Sequence, residues 1–244
     1  VNRFDTIDDP RRRVLVEALA AGVFSGGLVG WSPLFAQIVT KLPLDRPIFR
    51  GTGTVNGQPT TRESQIRPGD TLRTGKDSDL VAVVGDCAIL LRAESELGTV
   101  AESGSGGATR LGGLRLLAGK LLAVFAPGPV RIQTATATVQ IRGTGVYVES
   151  EPNLTYFCTC FGVTEVTAND DPDSRETVVA THHNKPLYIV GGANNRGKSI
   201  AGAPFKDHTD QELALIEALV GRTLPPEFAF PAKDYDPSRT RYGR

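Results

Sequence analysis

The sequence predicts a mainly-β domain, a β-sandwich or a solenoid-like stack, closed by one C-terminal helix and preceded by an N-terminal export or anchor helix. Three observations predict it. Val130–Val148, VRIQTATATVQIRGTGVYV, alternates apolar and polar residues and pauses only at Gly143-Thr144-Gly145. Period-two alternation belongs to a strand with two unlike faces and excludes an amphipathic helix. Second, between Phe49 and Ala168 short apolar runs are separated by closely spaced turn signals, within a chain of 244 residues that has 27 Gly and 16 Pro. Such punctuation is the signature of many short strands. Third, a single helical period occurs, late in the chain, behind Thr209-Asp210-Gln211-Glu212.

Taken in order, Arg11-Arg12-Arg13 followed by the moderately apolar residues 14–36 has the layout of an export signal. Pro10-Arg11-Arg12-Arg13-Val14-Leu15-Val16 resembles a twin-arginine motif, and Leu34-Phe35-Ala36 offers a cleavage site. An uncleaved anchor competes with cleavage, but Glu17, Pro33 and several glycines make a poor span. Residues 37–48, with Pro43 and Pro47, read as a linker. In the β domain, 49–168, the apolar runs Leu80–Val84, Ala88–Leu91, Leu114–Leu117 and Leu121–Phe125 are strands. They are joined by turns such as Val55-Asn56-Gly57, Arg67-Pro68-Gly69-Asp70 and Gly85-Asp86. Glu102–Thr109 reads as a flexible loop. Residues 169–221 form an extension with two strands, Val178–Ala180 and Leu187–Val190, and the helix. The helix opens on a capping box and carries an apolar face of Leu213, Leu215, Ile216, Leu219 and Val220, with Gly221 to end it. The tail, 222–244, is rich in Pro and Arg and reads as extended.

Lys+Arg and Asp+Glu both number 27, so the formal net charge is zero. This argues against a nucleic-acid binder, which carries a basic excess or face. Gly192–Ser199 matches the phosphate-loop pattern, yet that chemistry needs a helix starting at Lys198. Gly202 and Pro204 follow too soon, so a glycine-rich loop is expected. No strand–helix turn presents a nucleophile, and no catalytic residue is assigned. An enzyme of unknown class would require a pocket at His182 or His183.

The most reactive local sequence is Tyr156-Phe157-Cys158-Thr159-Cys160-Phe161. In a strand the two cysteines share a face with Cα atoms about 6.6 Å apart, awkward for a mutual disulfide but suited to two thiolates on one soft metal. Cys87, His182, His183 and His208 are the other soft ligands. Cys158 and Cys160 with one of His182 or His183 and with His208 would match a zinc, iron or copper centre. Three fates compete for the pair: core packing as small hydrophobes, metal or cofactor ligation, and a disulfide involving Cys87. For His208 the simpler role is to fix the approach of the chain to the helix.

From about Phe49 to Ala168 the sequence resembles the FecR domain family. The marks are Val55-Asn56-Gly57, Pro68-Gly69-Asp70-Thr71-Leu72-Arg73-Thr74-Gly75, Leu117-Ala118-Gly119-Lys120, Arg142-Gly143-Thr144-Gly145 and the apolar strand Tyr156–Val166, in that order. The resemblance implies an extracytoplasmic β domain that binds rather than catalyses, with a protein partner such as an envelope or outer-membrane receptor component. It also implies a link to iron-uptake regulation. Few residues precede Arg11, so a stand-alone exported form is expected, without the family's cytoplasmic sigma-factor-binding segment. It would sit in the periplasm or be anchored facing it, touching membrane only through its N-terminal segment.

Overall fold

The computed structural model describes residues 46–61, 63–104, 108–192, 198–222 and 224–228. The expected export or anchor segment and the tail beyond Phe228 lie outside the described residues. The strands are β1 (Ile48–Arg50), β2 (Gly53–Val55), β3 (Gln58–Pro59), β4 (Thr71–Thr74), β5 (Asp79–Val84), β6 (Cys87–Leu91), β7 (Glu96–Ser103), β8 (Thr109–Phe125), β9 (Pro129–Gln133), β10 (Ala137–Arg142), β11 (Gly145–Glu151), β12 (Leu154–Ala168), β13 (Arg175–Ala180), β14 (Leu187–Val190) and β15 (Ile200–Gly202). The helix α1 (Asp210–Leu219) and a 3-10 turn, η1 (Pro226–Phe228), follow.

Two long strands organise these elements into two layers. The first half of β8 pairs with β7 and β9, and its second half pairs with β6 and β11. Likewise β12 pairs first with β11 and β14, then with β10 and β13. One sheet therefore runs β1-β5-β6-β8-β11-β12-β14-β15 and the other β3-β2-β4-β7-β8-β9-β10-β12-β13, joined where β8 and β12 turn the corner. Each corner is a glycine with positive φ, Gly119 at 89° and Gly162 at 91°. A Cβ at Gly119 would lie 2.1 Å from Ser95 Oγ, and at Gly162 2.8 Å from the Gly143 carbonyl oxygen. Strands that switch sheets through such bends make the corners of a sandwich. Of the two expected architectures, this is the sandwich. The runs Leu114–Leu117 and Leu121–Phe125 prove to be one bent strand, because Gly119 turns the chain without ending the ladder.

The inner core lies between the layers. It draws Leu80, Ile89, Leu121 and Val148 from the first sheet and Leu72, Leu97, Ile132, Val139 and Val166 from the second. The alternate residues of the first sheet face outward yet are also buried. Val81, Ala88, Leu90, Leu122, Val124, Tyr147, Tyr156, Cys158 and Cys160 form a second apolar layer with Leu213, Leu215, Ile216 and Leu219 of α1. A strand covered on both faces loses its polar alternation, which is why β6 is apolar throughout and why β5 and the first half of β12 interrupt their apolar runs only at Asp79, Thr155 and Thr159. The capping box of α1 forms as its sequence requires. The Thr209 amide donates to Glu212 Oε2 (2.8 Å) and the Glu212 amide to Thr209 Oγ1 (3.2 Å). Glu212 is also buried against Arg92, at 2.5 Å. No helix among the described residues is long and apolar enough to cross a membrane. After Ser199 the chain enters β15 and not a helix, so the phosphate-loop match lacks the helix its chemistry needs.

Candidate metal centre

Period-two geometry places Cys158 and Cys160 on the outward face of β12, under the region that α1 covers. Cys87 sits on the inward face of β6, in the other core. The sheet separates it from the Cys158–Cys160 pair and all three thiols are free, which corrects the expectation of a disulfide involving Cys87. Two loops then bring imidazoles to the pair. The turn between β13 and β14 delivers His183, whose amide donates to the Cys160 carbonyl (2.9 Å). In that turn Asn184 Oδ1 accepts from the amides of Thr181 (2.7 Å) and His182 (2.8 Å). The chain ahead of α1 delivers His208.

Cys158 and Cys160 are 0% exposed, His208 3% and His183 8%. Cys158 Sγ lies 3.5 Å from His183 Nδ1, Cys160 Sγ 3.5 Å from His208 Nε2, and the two nitrogens are 3.1 Å apart. All four donor atoms fall within 4.8 Å of one another. A tetrahedral zinc ion with ordinary Zn–S and Zn–N bonds requires edges of about 3.5 Å for S···N, 3.3 Å for N···N and 3.8 Å for S···S. The two S···N edges at 3.5 Å and the N···N edge at 3.1 Å are close to these values, and the other three edges lie within 4.8 Å.

The tautomers are set from outside the cluster. His183 Nε2 donates to Asp210 Oδ1 (2.9 Å), and His208 Nδ1 donates to the Lys206 carbonyl (2.8 Å), which can only accept. In the neutral rings both inward nitrogens therefore carry lone pairs, and they face each other. A carboxylate or carbonyl behind each imidazole is the arrangement that orients metal-bound histidines. The backbone is also held in the left-handed region on both loops, at His183 (φ 51°) and at Asp207 (φ 61°). Non-glycine residues adopt that region at a cost, and sites where they do so cluster at functional positions.

Electrostatics follow the same geometry. Burial pushes the Cys158 thiol up, but hydrogen bonds from Cys160, His183 and His208 outweigh it and hold its pKa well below the ordinary thiol value. Burial, then the Cys158 sulfur, raises Cys160 well above that value. Burial disfavours a charged His183, but Asp210 and Cys158 reverse this and raise its pKa. Asp210 is likewise pushed up by burial and brought below the carboxylate range by His183 and His182. The same neighbours favour a thiolate at Cys158, the form that ligates a metal.

Aromatic rings wall the donors in. Tyr147 stacks on His208 at 4.4 Å, Phe205 lies 4.6 Å from both His183 and His208, and Phe228 lies 5.5 Å from His183. The structure brings together four of the five candidate ligands. His182 stays at the rim, its side chain 45% exposed, with Nε2 2.9 Å from Asp210 Oδ2. It could join His183 and Asp210 in a second, outer group of three. His208 fixes the chain at the helix start, as the simpler expectation had it, and also points Nε2 at Cys160. Asp210 was legible only as part of the capping box. Nothing in its spacing connects it with His183, twenty-seven residues earlier.

No family model and no curated protein matches the chain. Two crystal structures of a protein from Parabacteroides distasonis ATCC 8503, at 2.50 and 1.65 Å resolution, bear the provisional description of an anti-sigma factor. Each is similar over 60% of this chain and 64% of its own, with a TM-score of 0.44 and 14% sequence identity. The chain therefore spans less than two thirds of their length. Likeness of this degree identifies neither a family nor an activity.

Proposed function

We propose that this protein is a metal-centred β module, and that Cys158, Cys160, His183 and His208 hold one zinc ion. The observation that carries it is the buried S2N2 set, whose edges fit a tetrahedral ion and whose two imidazoles present lone pairs inward. All four positions are filled by protein, the pattern of a structural rather than a catalytic zinc site. Charge favours zinc over copper(I) in so dry a place: two thiolates neutralise a divalent ion, whereas a monovalent ion leaves a buried negative charge. Cys158, His183 and Asp210 are in contact like a nucleophile, its base and an orienting carboxylate, but a nucleophile with no exposed surface cannot meet a substrate. That burial supports a structural over a catalytic role for the cluster. Elemental analysis of purified protein should find about one zinc per chain, absent from a Cys158→Ser/Cys160→Ser variant. Full-length protein that carries no metal after growth and purification in zinc, and whose stability chelation leaves unchanged, would sink the assignment.

A FecR-type binding role outside the cytoplasm is a second reading, supported by what the motif residues do. Asn56 Nδ2 donates to Asp70 Oδ1 (2.7 Å), the Thr71 amide donates to Asn56 Oδ1 (2.9 Å), and the Arg67 amide donates to Asp70 Oδ2 (2.7 Å). Thus two turns far apart in sequence are tied into one. Gly119 and Gly143-Thr144-Gly145 sit at the two sheet-switching corners. The motifs belong to one construction, which suits an envelope recognition domain. Fractionation of expressing cells tests the compartment: the protein should be released with the periplasm or remain with the inner membrane, and a cytosolic full-length chain would refute it.

A further inference from the structure

We infer that the zinc ion is a latch that docks the C-terminal segment 203–228 on the sandwich, so that metal occupancy decides whether the outer face of the first sheet is covered. The inference rests on the zinc assignment above and concerns what that site controls. Cys158 and Cys160 belong to β12, which pairs with β11 through Cys158 and Thr159 and whose Cys160 carbonyl accepts the His183 amide. The imidazoles belong to connections, His183 to the β13–β14 turn and His208 to the chain ahead of α1. His208 stands two residues ahead of α1, and Asp210, the first residue of α1, holds His183. The ion therefore ties the start of the helix to the strand beneath it.

Without the ion, the tie between β12 and His208 is reduced to the contacts of Cys160 Sγ (3.5 Å) and His183 Nδ1 (3.1 Å) with His208 Nε2. β12 is fixed by its ladder with β11 and, up to Phe157, by its ladder with β14. The chain at 204–209 belongs to no strand, and its left-handed Asp207 relaxes when it lifts away. A ten-residue helix is too short to persist alone in water, so undocking and melting of α1 become one event. The inner core shares no residue with the layer under α1, so the sandwich retains its own support. The surface uncovered is that of Val81, Ala88, Leu90, Leu122 and Val124, apolar throughout.

Hydrogen exchange on the full chain, zinc-loaded and after chelation, tests this alongside elemental analysis of both samples. The expected result is exchange at least about tenfold faster across 210–219 after zinc removal, with the amides of β8 and β11 still protected. Zinc removal that leaves α1 protected overturns the latch but not the zinc site. Loss of protection throughout shows a global staple and overturns it too. Protein that takes up no zinc overturns both. A variant supplies the reciprocal test: Ile216→Ala removes helix packing but no donor, and linkage requires it to weaken zinc affinity about tenfold. Unchanged affinity in a folded Ile216→Ala protein also refutes the latch.

Discussion

Asp210→Asn tests the centre without touching a donor atom. Asp210 accepts from His183 Nε2 at 2.9 Å, and its carboxylate fixes the proton on that nitrogen so that Nδ1 faces the metal. Asparagine keeps the shape and the position at the head of α1. It removes the charge and can present an amide N–H to the ring, which favours the wrong tautomer. A hydrogen bond to a charged group contributes about 1.5–3 kcal/mol, and loss of an orienting partner weakens metal affinity by about 10–100-fold, which corresponds to about 1.4–2.7 kcal/mol. Zinc affinity read by competition with a chromophoric chelator at fixed pH and salt should fall by that factor while the stoichiometry stays at one. His182→Ala is the matched control, since His182 meets the same carboxylate but lies outside the four-donor set. Its effect should remain below about threefold, the scale of an exposed pair. Equal losses in both variants, or none in Asp210→Asn, would refute the orienting role.

Cobalt(II) replacing zinc should give the intense visible bands of a tetrahedral thiolate site, and a weak octahedral spectrum would contradict the four-donor geometry. Gly162→Ala places a Cβ 2.8 Å from the Gly143 carbonyl at a φ of 91° and should cost about 2–4 kcal/mol in urea unfolding; a neutral effect would deny that the corner needs glycine. Glu212→Ala removes the carboxylate partner of the half-buried Arg92 guanidinium and half of the capping box, so it should destabilise the helix-docked state by about 2–3 kcal/mol. Thr209→Ala, which loses only the cap, should cost about 1 kcal/mol in the same assay.

Local patterns were legible wherever local forces decide. The strands at Asp79–Val84, Cys87–Leu91 and Leu187–Val190 and the capped helix at Asp210–Leu219 follow from apolar runs, turn residues and a capping box. The ladder reaches into both ends of the expected loop Glu102–Thr109, with Glu102 and Ser103 in β7, Thr109 opening β8, and Ser103 paired with Thr109. The extension 169–221 adds to both sheets: β13 pairs with β12 in one, and β14 pairs with it in the other. Polar, glycine-rich composition mimics a linker when its neighbours in space are out of view.

By itself the sequence determined the β class, the single late helix and the inventory of soft donors, with Cys158 and Cys160 on one face of a strand. These depend on the period of a strand or on residues within one turn of each other. The tertiary structure alone decided which histidine joins the cysteines, that Cys87 lies across the sheet from them, and that Asp210 orients His183. Those choices depend on where β12 bends at Gly162 and on how α1 lies over the outer face. Contacts among Cys158, Cys160, His183 and His208 span 25 to 48 residues of chain. No spacing rule reaches that far, because the closure of such loops is settled by packing of the whole sandwich and not by the residues that meet.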